Sequence, residues 1–417
     1  MKMKLLTVVF LLAAWSQATA QRQCLAFEYQ QAELLQNPSL VLRIESIENF
    51  TKQHADAGKN LLSRLEQTAI ITIPVVIHII YHYPSERISE AQVLKQIEIL
   101  NRDFRRMNAD SARTPEVFKN IAADTEIEFK LATVDPKGRA TKGIIFKYSP
   151  IMVWESNDKM KFSKEMGDDA WDAKSYLNIW VCHLDRLAGY ASFPGGPAEK
   201  DGVVLDFGAF GITGSGAYGL GRTAVHEIGH WLNLKHTWGD ANCGDDHVDD
   251  TPKQSNYTVG CPSSVRITCG NAPNGDMYMN YMDFTNDACL NLFTMGQKAR
   301  MRALFAPGGA RSTLLTSNGL GIPINNELPL PAEPPLWLQS KIYPVPAKDE
   351  LTLDIAYDER WVGKVVTILN LQGQVVMQVL INSKTQKINI NNLQPGMYFL
   401  TAKKKDGESI KEKFIKL

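Results

Sequence analysis

The stretch TAVHEIGHWLNLKHTWGD, residues 223–240, constrains this chain more than any other. It gathers His226, His230 and His236, three of only eight histidines, within eleven positions. On a helix His226 and His230 stand at i and i+4, so both imidazoles leave one face a turn apart. Tetrahedral zinc takes two such nitrogens and needs a third from elsewhere. His236 can supply it if the helix stops after Leu232 and the chain turns back, which calls for a residue tolerant of positive φ. Asn233 stands there, and asparagine is the non-glycine residue best suited to left-handed geometry. The competing reading is a surface helix with two ordinary histidines; the third histidine and the turn residue weigh against it. Three nitrogens leave a fourth position for water, the arrangement of a catalytic rather than a structural zinc. Glu227, beside the first ligand, is placed to act as general base and acid.

The first twenty residues, MKMKLLTVVFLLAAWSQATA, join a basic start, an apolar run and a small-residue ending. They read as a secretory signal, cleaved after Ala20. Lipid attachment at Cys24 is the rival reading, but QRQC lacks the small apolar residues such a site needs. No later segment is apolar for long enough to span a bilayer. Lys+Arg and Asp+Glu balance at 45 each, so no net field calls for nucleic acid or an anionic membrane as partner. Export implies an oxidising compartment in which cysteines pair. Cys243, Cys261, Cys269 and Cys289 share one Gly/Asn/Asp-rich stretch, and four cysteines permit three connectivities that spacing alone does not decide. Cys182, in the apolar run YLNIWVCHL, reads as an inert buried thiol.

Residues 21–66 are polar and helix-prone. AIITIPVVIHIIYH (69–82) reads as a central strand, and a helix with Ser89 as N-cap follows it. EIEFKLATVD, YLNIWVCHL, LAGYASFPGG and DGVVLDFGAF read as further strands. A mixed sheet with a few helices, α/β or α+β, is expected for 67–317. A Pro-rich linker follows at 318–338. The alternating runs of 339–417, with Gly373 and Gly396 read as turns, predict a small all-β sandwich.

HEIGHWLNLKHTW, followed by MNYMDFTNDACLNLFTMGQKARM (279–301), resembles the metzincin metalloproteases of the pappalysin/ulilysin branch. The resemblance implies a metzincin fold, zinc on the three histidines, Glu227 as catalytic residue, Met282 in a tight turn beneath the metal, and protein or peptide substrates. Two residues depart from the family pattern. Asn233 replaces a glycine, which the φ argument tolerates. Phe284 replaces a tyrosine thought to contact the metal or the reaction intermediate, and phenylalanine has no proton to donate. That change motivates an alternative, a catalytically weak relative serving as a surface protein-binding module. The resemblance also implies disulfides Cys243–Cys269 and Cys261–Cys289. It further implies calcium in CGDDHVDDTP through Asp246, the Asp249 carbonyl and Thr251. LAGYASFP matches the family's edge strand, to which an extended peptide adds. Relatives favour basic residues beside the scissile bond; Asp287 either pairs with such a residue or serves as a helix cap.

The region around Cys24 resembles the pro-segments of this branch, in which a cysteine thiolate takes the open zinc position. The implication is a zymogen silenced by Cys24 until 21–66 is removed, with Arg64 as a cut site. IYPVPAKDELTLDI, LNLQGQVV and LQPGMYFL resemble the sorting domain of type IX secretion in Bacteroidetes. This implies a Sec-type signal, export machinery as a partner, and a secreted or cell-surface destination.

Overall fold

The computed structural model describes residues 24–61, 69–214, 216–328, 335, 338–404 and 409–417. The expected signal peptide, the Arg64 cut and part of the Pro-rich linker lie outside them. Strand β1 (Ile71–Tyr81) organises the catalytic domain. Its odd residues, from Ile71 to Ile79, enter the main core, while Val76 and Ile80 are buried on the other face. Burial on both faces explains the nearly unbroken apolar run. Along one side β1 pairs in parallel first with β2 (Ile127–Leu131) and then with β3 (Ile144–Tyr148). On its other side come β4 (Leu177–Cys182) and β6 (Val203–Asp206), both parallel, and then the antiparallel edge strand β5 (Gly189–Ala191). The run LAGYASFPGG thus contributes only three strand residues; Pro194 and two glycines follow after two more residues.

Helices α1 (Ala26–Gln36) and α2 (Leu40–Leu61) precede the sheet. Helix α3 (Glu90–Phe104) begins at Ser89, whose Oγ accepts the Gln92 N–H at 3.1 Å. It buries Val93, Ile97, Leu100 and Phe104 in the core it shares with β1. A single turn, α4 (Glu116–Lys119), lies in the loop before β2. Helix α5 (Arg222–Trp231), which carries the histidines, packs against α3, β5 and β6. Gln96 of α3 sets its entry: Nε2 donates to the Gly221 carbonyl at 3.0 Å and Oε1 accepts from Gly211 N–H at 2.6 Å. Gly221 has φ +77°, and a Cβ there would lie 2.8 Å from Gln96 Oε1, so a side chain is excluded on both counts. Helix α6 (Met295–Ala303) starts in a Thr294/Gln297 capping box and receives α2 on its surface. Main-chain bonds from Thr133 N to Gly319 O and Ala140 N to Asn325 O hold 318–325, the start of the expected linker, against the catalytic domain.

The C-terminal part is two antiparallel sheets. One runs β10 (Val375–Leu380), β9 (Val365–Leu369), β12 (Gly396–Lys403), β13 (Ser409–Lys416). The other runs β11 (Thr385–Asn389), β8 (Glu350–Asp354), β7 (Lys341–Tyr343). Leu351, Leu353, Trp361, Ile368, Leu400 and Phe414 form the core between them. Gly373 lies in the β9–β10 turn at φ +77°, whereas Gly396 opens β12 rather than forming a turn. Trp361 is fully buried, with its Nε1 donating to Tyr357 Oη at 3.0 Å. Trp361→Ala is expected to cost this domain about 3–5 kcal/mol. In chemical denaturation its transition should move while that of the catalytic domain stays in place.

Candidate metal centre

Helix α5 is buried at every residue, and its start is pinned from outside. Asp287 Oδ2 accepts the Leu220 and Arg222 N–H groups at 3.0 and 3.1 Å. The Arg222 guanidinium in turn reaches Asp103, Asp110 and the Asp287 carbonyl. Asp287 is fully buried, and its carboxylate holds backbone N–H groups at the start of the helix.

The far end of α5 closes in a Schellman turn. Asn233 sits at φ +65°; its N–H reaches the His230 carbonyl at 2.8 Å, and Leu234 N–H reaches the Gly229 carbonyl at 2.9 Å. This reversal carries His236 back over the helix. His230 Nε2 lies 3.1 Å from both His226 Nε2 and His236 Nε2. Each Nδ1 faces an acceptor: the Tyr281 carbonyl at 2.7 Å for His226, the Leu234 carbonyl at 2.8 Å for His230, and the Asp240 carboxylate for His236. A carbonyl can only accept, so Nδ1 of His226 and His230 carries the proton and their Nε2 lone pairs face the centre. Burial, and then His236, hold His230 well below its usual pKa, in the neutral form that ligates metal. Lone pairs this close repel unless a cation lies between them. The donor set therefore fits zinc: three imidazoles, each oriented through its other nitrogen.

The turn bearing Met282 lies directly beneath. Asn280 Oδ1 accepts from Met282 N–H at 2.9 Å, and Thr237 N–H reaches the Met282 carbonyl at 3.3 Å. A Cβ at Gly229 would overlap the Met282 sulfur, so helix and turn meet only because residue 229 is glycine. Aromatic rings wall the centre. Trp238 stacks on His236 at 4.2 Å, and Phe284 meets His236 edge-on at 4.9 Å. Tyr257 lies against both Trp238 and Phe284. Tyr281 and Tyr278 point elsewhere, Tyr281 against Phe293 and Tyr278 into the cluster around Phe118. Asp240, Trp238 and Tyr257 were missed in the sequence; only Asp240, four residues beyond His236, had a spacing that could have drawn attention.

Cys24 completes the cluster. Its sulfur and the three histidine ligand atoms lie within 4.8 Å of one another, the one such group of metal-ligating side chains among the described residues. The thiol also lies 3.4 Å from Glu227 Oε2, and Cys24 forms a parallel bridge with Gly189 of edge strand β5. Burial, and then the Glu227 carboxylate, push this thiol well above its usual pKa, so a thiolate here requires a cation among the imidazoles. The pairs Cys243–Cys269 and Cys261–Cys289 are bonded, with Cα separations of 5.7 and 5.8 Å, while Cys182 is free and buried. In the expected calcium loop, Asp246 accepts from Val248 N–H and Thr251 Oγ1 at 3.1 and 2.7 Å, and Asp249 is exposed.

Residues 160–306 match the family described as pregnancy-associated plasma protein-A, and 341–417 match the secretion system C-terminal sorting domain. An extracellular metalloprotease of Pyricularia oryzae is 42% identical over 279 residues, covering 63% of this chain and 84% of that protein. Mature mirolysin of Tannerella forsythia, solved with a cleaved peptide, is 48% identical with a TM-score of 0.58, over 60% of this chain and 96% of that one. A promirolysin mutant of the same organism is 44% identical with a TM-score of 0.63, over 70% and 96%. This chain belongs to the pappalysin metalloproteases. It is a secreted or cell-surface zinc protease of the mirolysin type, with a type IX sorting domain at its carboxyl end.

Within this pappalysin, Gly229→Ala is expected to destabilise the catalytic domain. Overpacking against Met282 costs about 1–3 kcal/mol, more than the roughly 1 kcal/mol of helix propensity gained. Thermal unfolding and zinc content should fall together; unchanged values would mean that the turn yields freely.

Proposed function

We propose that this protease is made as a zymogen in which Cys24 takes the place of the attacking water and Glu227 is the proton carrier of the processed enzyme. One observation carries the reading: Cys24 Sγ lies among the three imidazole ligand atoms and in contact with Glu227 Oε2. Zinc, when bound, supplies the Lewis acidity that polarises a peptide carbonyl and acidifies water. Glu227, buried one residue after His226, takes the proton of the attacking water and returns it to the departing amine. The free edge of β5 aligns an extended peptide through main-chain hydrogen bonds. In the zymogen the pro-segment occupies that edge at Gly189 in the parallel sense, opposite to the antiparallel run expected of a substrate. The larger share of this chain matched by promirolysin than by mature mirolysin supports a pro-segment. The domain limits proposed are 21–66 for the pro-segment, 67–317 for the protease and 339–417 for the sorting domain. A preference for basic residues beside the scissile bond, with Asp287 as the pairing carboxylate, belongs to the same reading.

Hydrolysis of a denatured protein by the processed form tests the mechanism. Glu227→Ala should keep zinc and lose about 10²- to 10⁴-fold in kcat, and a chelator should abolish cleavage. Cleavage that survives the Glu227 change rejects the mechanism. Cys24→Ala should let the unprocessed chain cleave itself or a substrate; a mutant as silent as wild type refutes the switch. Calcium bound by Asp246, the Asp249 carbonyl and Thr251 forms part of the same proposal. Burial pushes the Asp246 carboxyl up to about 7, and a cation would offset that cost. Calcium added to the zinc-loaded protein should raise its Tm, and Asp246→Asn should remove the rise; no rise in the wild type excludes the site.

A further inference from the structure

The pro-segment is held at more places than the metal. In α1, Tyr29 Oη donates to Asp158 at 2.7 Å and Glu33 pairs with Lys200 at 2.6 Å. In α2, Glu48 enters a built receptor. Arg300, with only 3% of its side chain exposed, donates to both carboxylate oxygens at 2.9 Å. His247 Nδ1 lies 2.8 Å from Oε1, and Asn233 Nδ2 donates to Oε2 at 3.2 Å. Bidentate, charge-assisted pairing of this kind is specific for a carboxylate. The apolar face of the same helix follows helical spacing. Ile44 and Ile47 lie over Gly195, Phe50 lies near Gly308, and Thr51 is fully buried with its Oγ1 accepting from Asn233.

We infer that the catalytic domain carries a groove for an amphipathic helix, keyed by the Arg300/His247/Asn233 carboxylate receptor. Its occupant is α2, and the pro-segment therefore stays bound after the connection to β1 is cut. The inference rests on the reading of 21–66 as a pro-segment. The groove follows from the physics of helix recognition: the apolar anchors Ile44, Ile47 and Phe50, at i, i+3 and i+6, give adhesion, and one half-buried charge pair fixes the register. Anchors in series at Asp158, Lys200 and Arg300 act on one tethered ligand, so each holds the others close. Asn233 serves both ends of this device, since its backbone turns the chain toward His236 while its side chain holds Glu48 and Thr51. Cutting the tether is then not release; a second event, such as digestion of the helices themselves, is needed.

The test places a site-specific protease sequence between α2 and β1 of the full-length chain, cuts it, and follows retention of the fragment by gel filtration. Wild type and Glu45→Ala, an exposed position on the same helix, should keep the fragment. Glu48→Ala and Glu48→Gln should release it at least tenfold faster. Prompt loss from the wild type, or equal release from all four proteins, overturns the inference. Because the readout is retention, a fragment held on an already active enzyme would sink the latency reading and leave the groove standing.

Discussion

Three imidazole nitrogens facing one another across about 3 Å in a site closed to water are tolerable only around a cation. Much of the catalytic domain serves that convergence. The Tyr281 and Leu234 carbonyls and the Asp240 carboxylate fix which nitrogen of each ring points inward. The Schellman turn at Asn233 supplies the reversal, and the Met282 turn closes against Gly229 so that the floor cannot drift. Behind them, Asp287 and Arg222 tie the start of α5 to the loop after the Met-turn, so both ends of the zinc helix are held by the same region of chain.

The surroundings of Glu227 bring a carboxylate, a thiol and three imidazoles together. Its carboxylate faces the Cys24 thiol, and that thiol is disfavoured as an anion by burial and by Glu227 itself. A dication held by the three nitrogens would reverse the balance, stabilising sulfur's negative charge where the carboxylate opposes it. Under the proposed switch, latency and activity depend on the same ion. The helices that follow Cys24 add a hold that does not involve the metal. It runs from Tyr29, beside Tyr190 of β5, to Glu48, paired with Arg300 of α6.

Legibility in the sequence followed the range of the interaction. The HEIGH spacing and the Asn233 turn are local: six residues of backbone geometry decide them, and the motif displays both. β1 was legible because burial on both faces forces an unbroken apolar run. β3, β7 and β13 were not. β3 is only partly buried, β7 has three residues, and in β13 the charged Glu412 and Lys416 share the inward face with Ile410 and Phe414. The bonds that Asp287 makes to Leu220 and Arg222 were not legible either, because they join residues far apart in the chain.

What the sequence alone determined is therefore the chemistry: which atoms can hold zinc, which carboxylate stands beside them, and that the chain is built for export. Short-range geometry and residue type suffice for that. Tertiary structure alone decided how those atoms are aimed and what covers them. The tautomers, the aromatic wall of Trp238, Tyr257 and Phe284, and the seating of Glu48 on Arg300 all join residues far apart in sequence. No local pattern encodes them, because each depends on surfaces that exist only after the sheet and helices have packed.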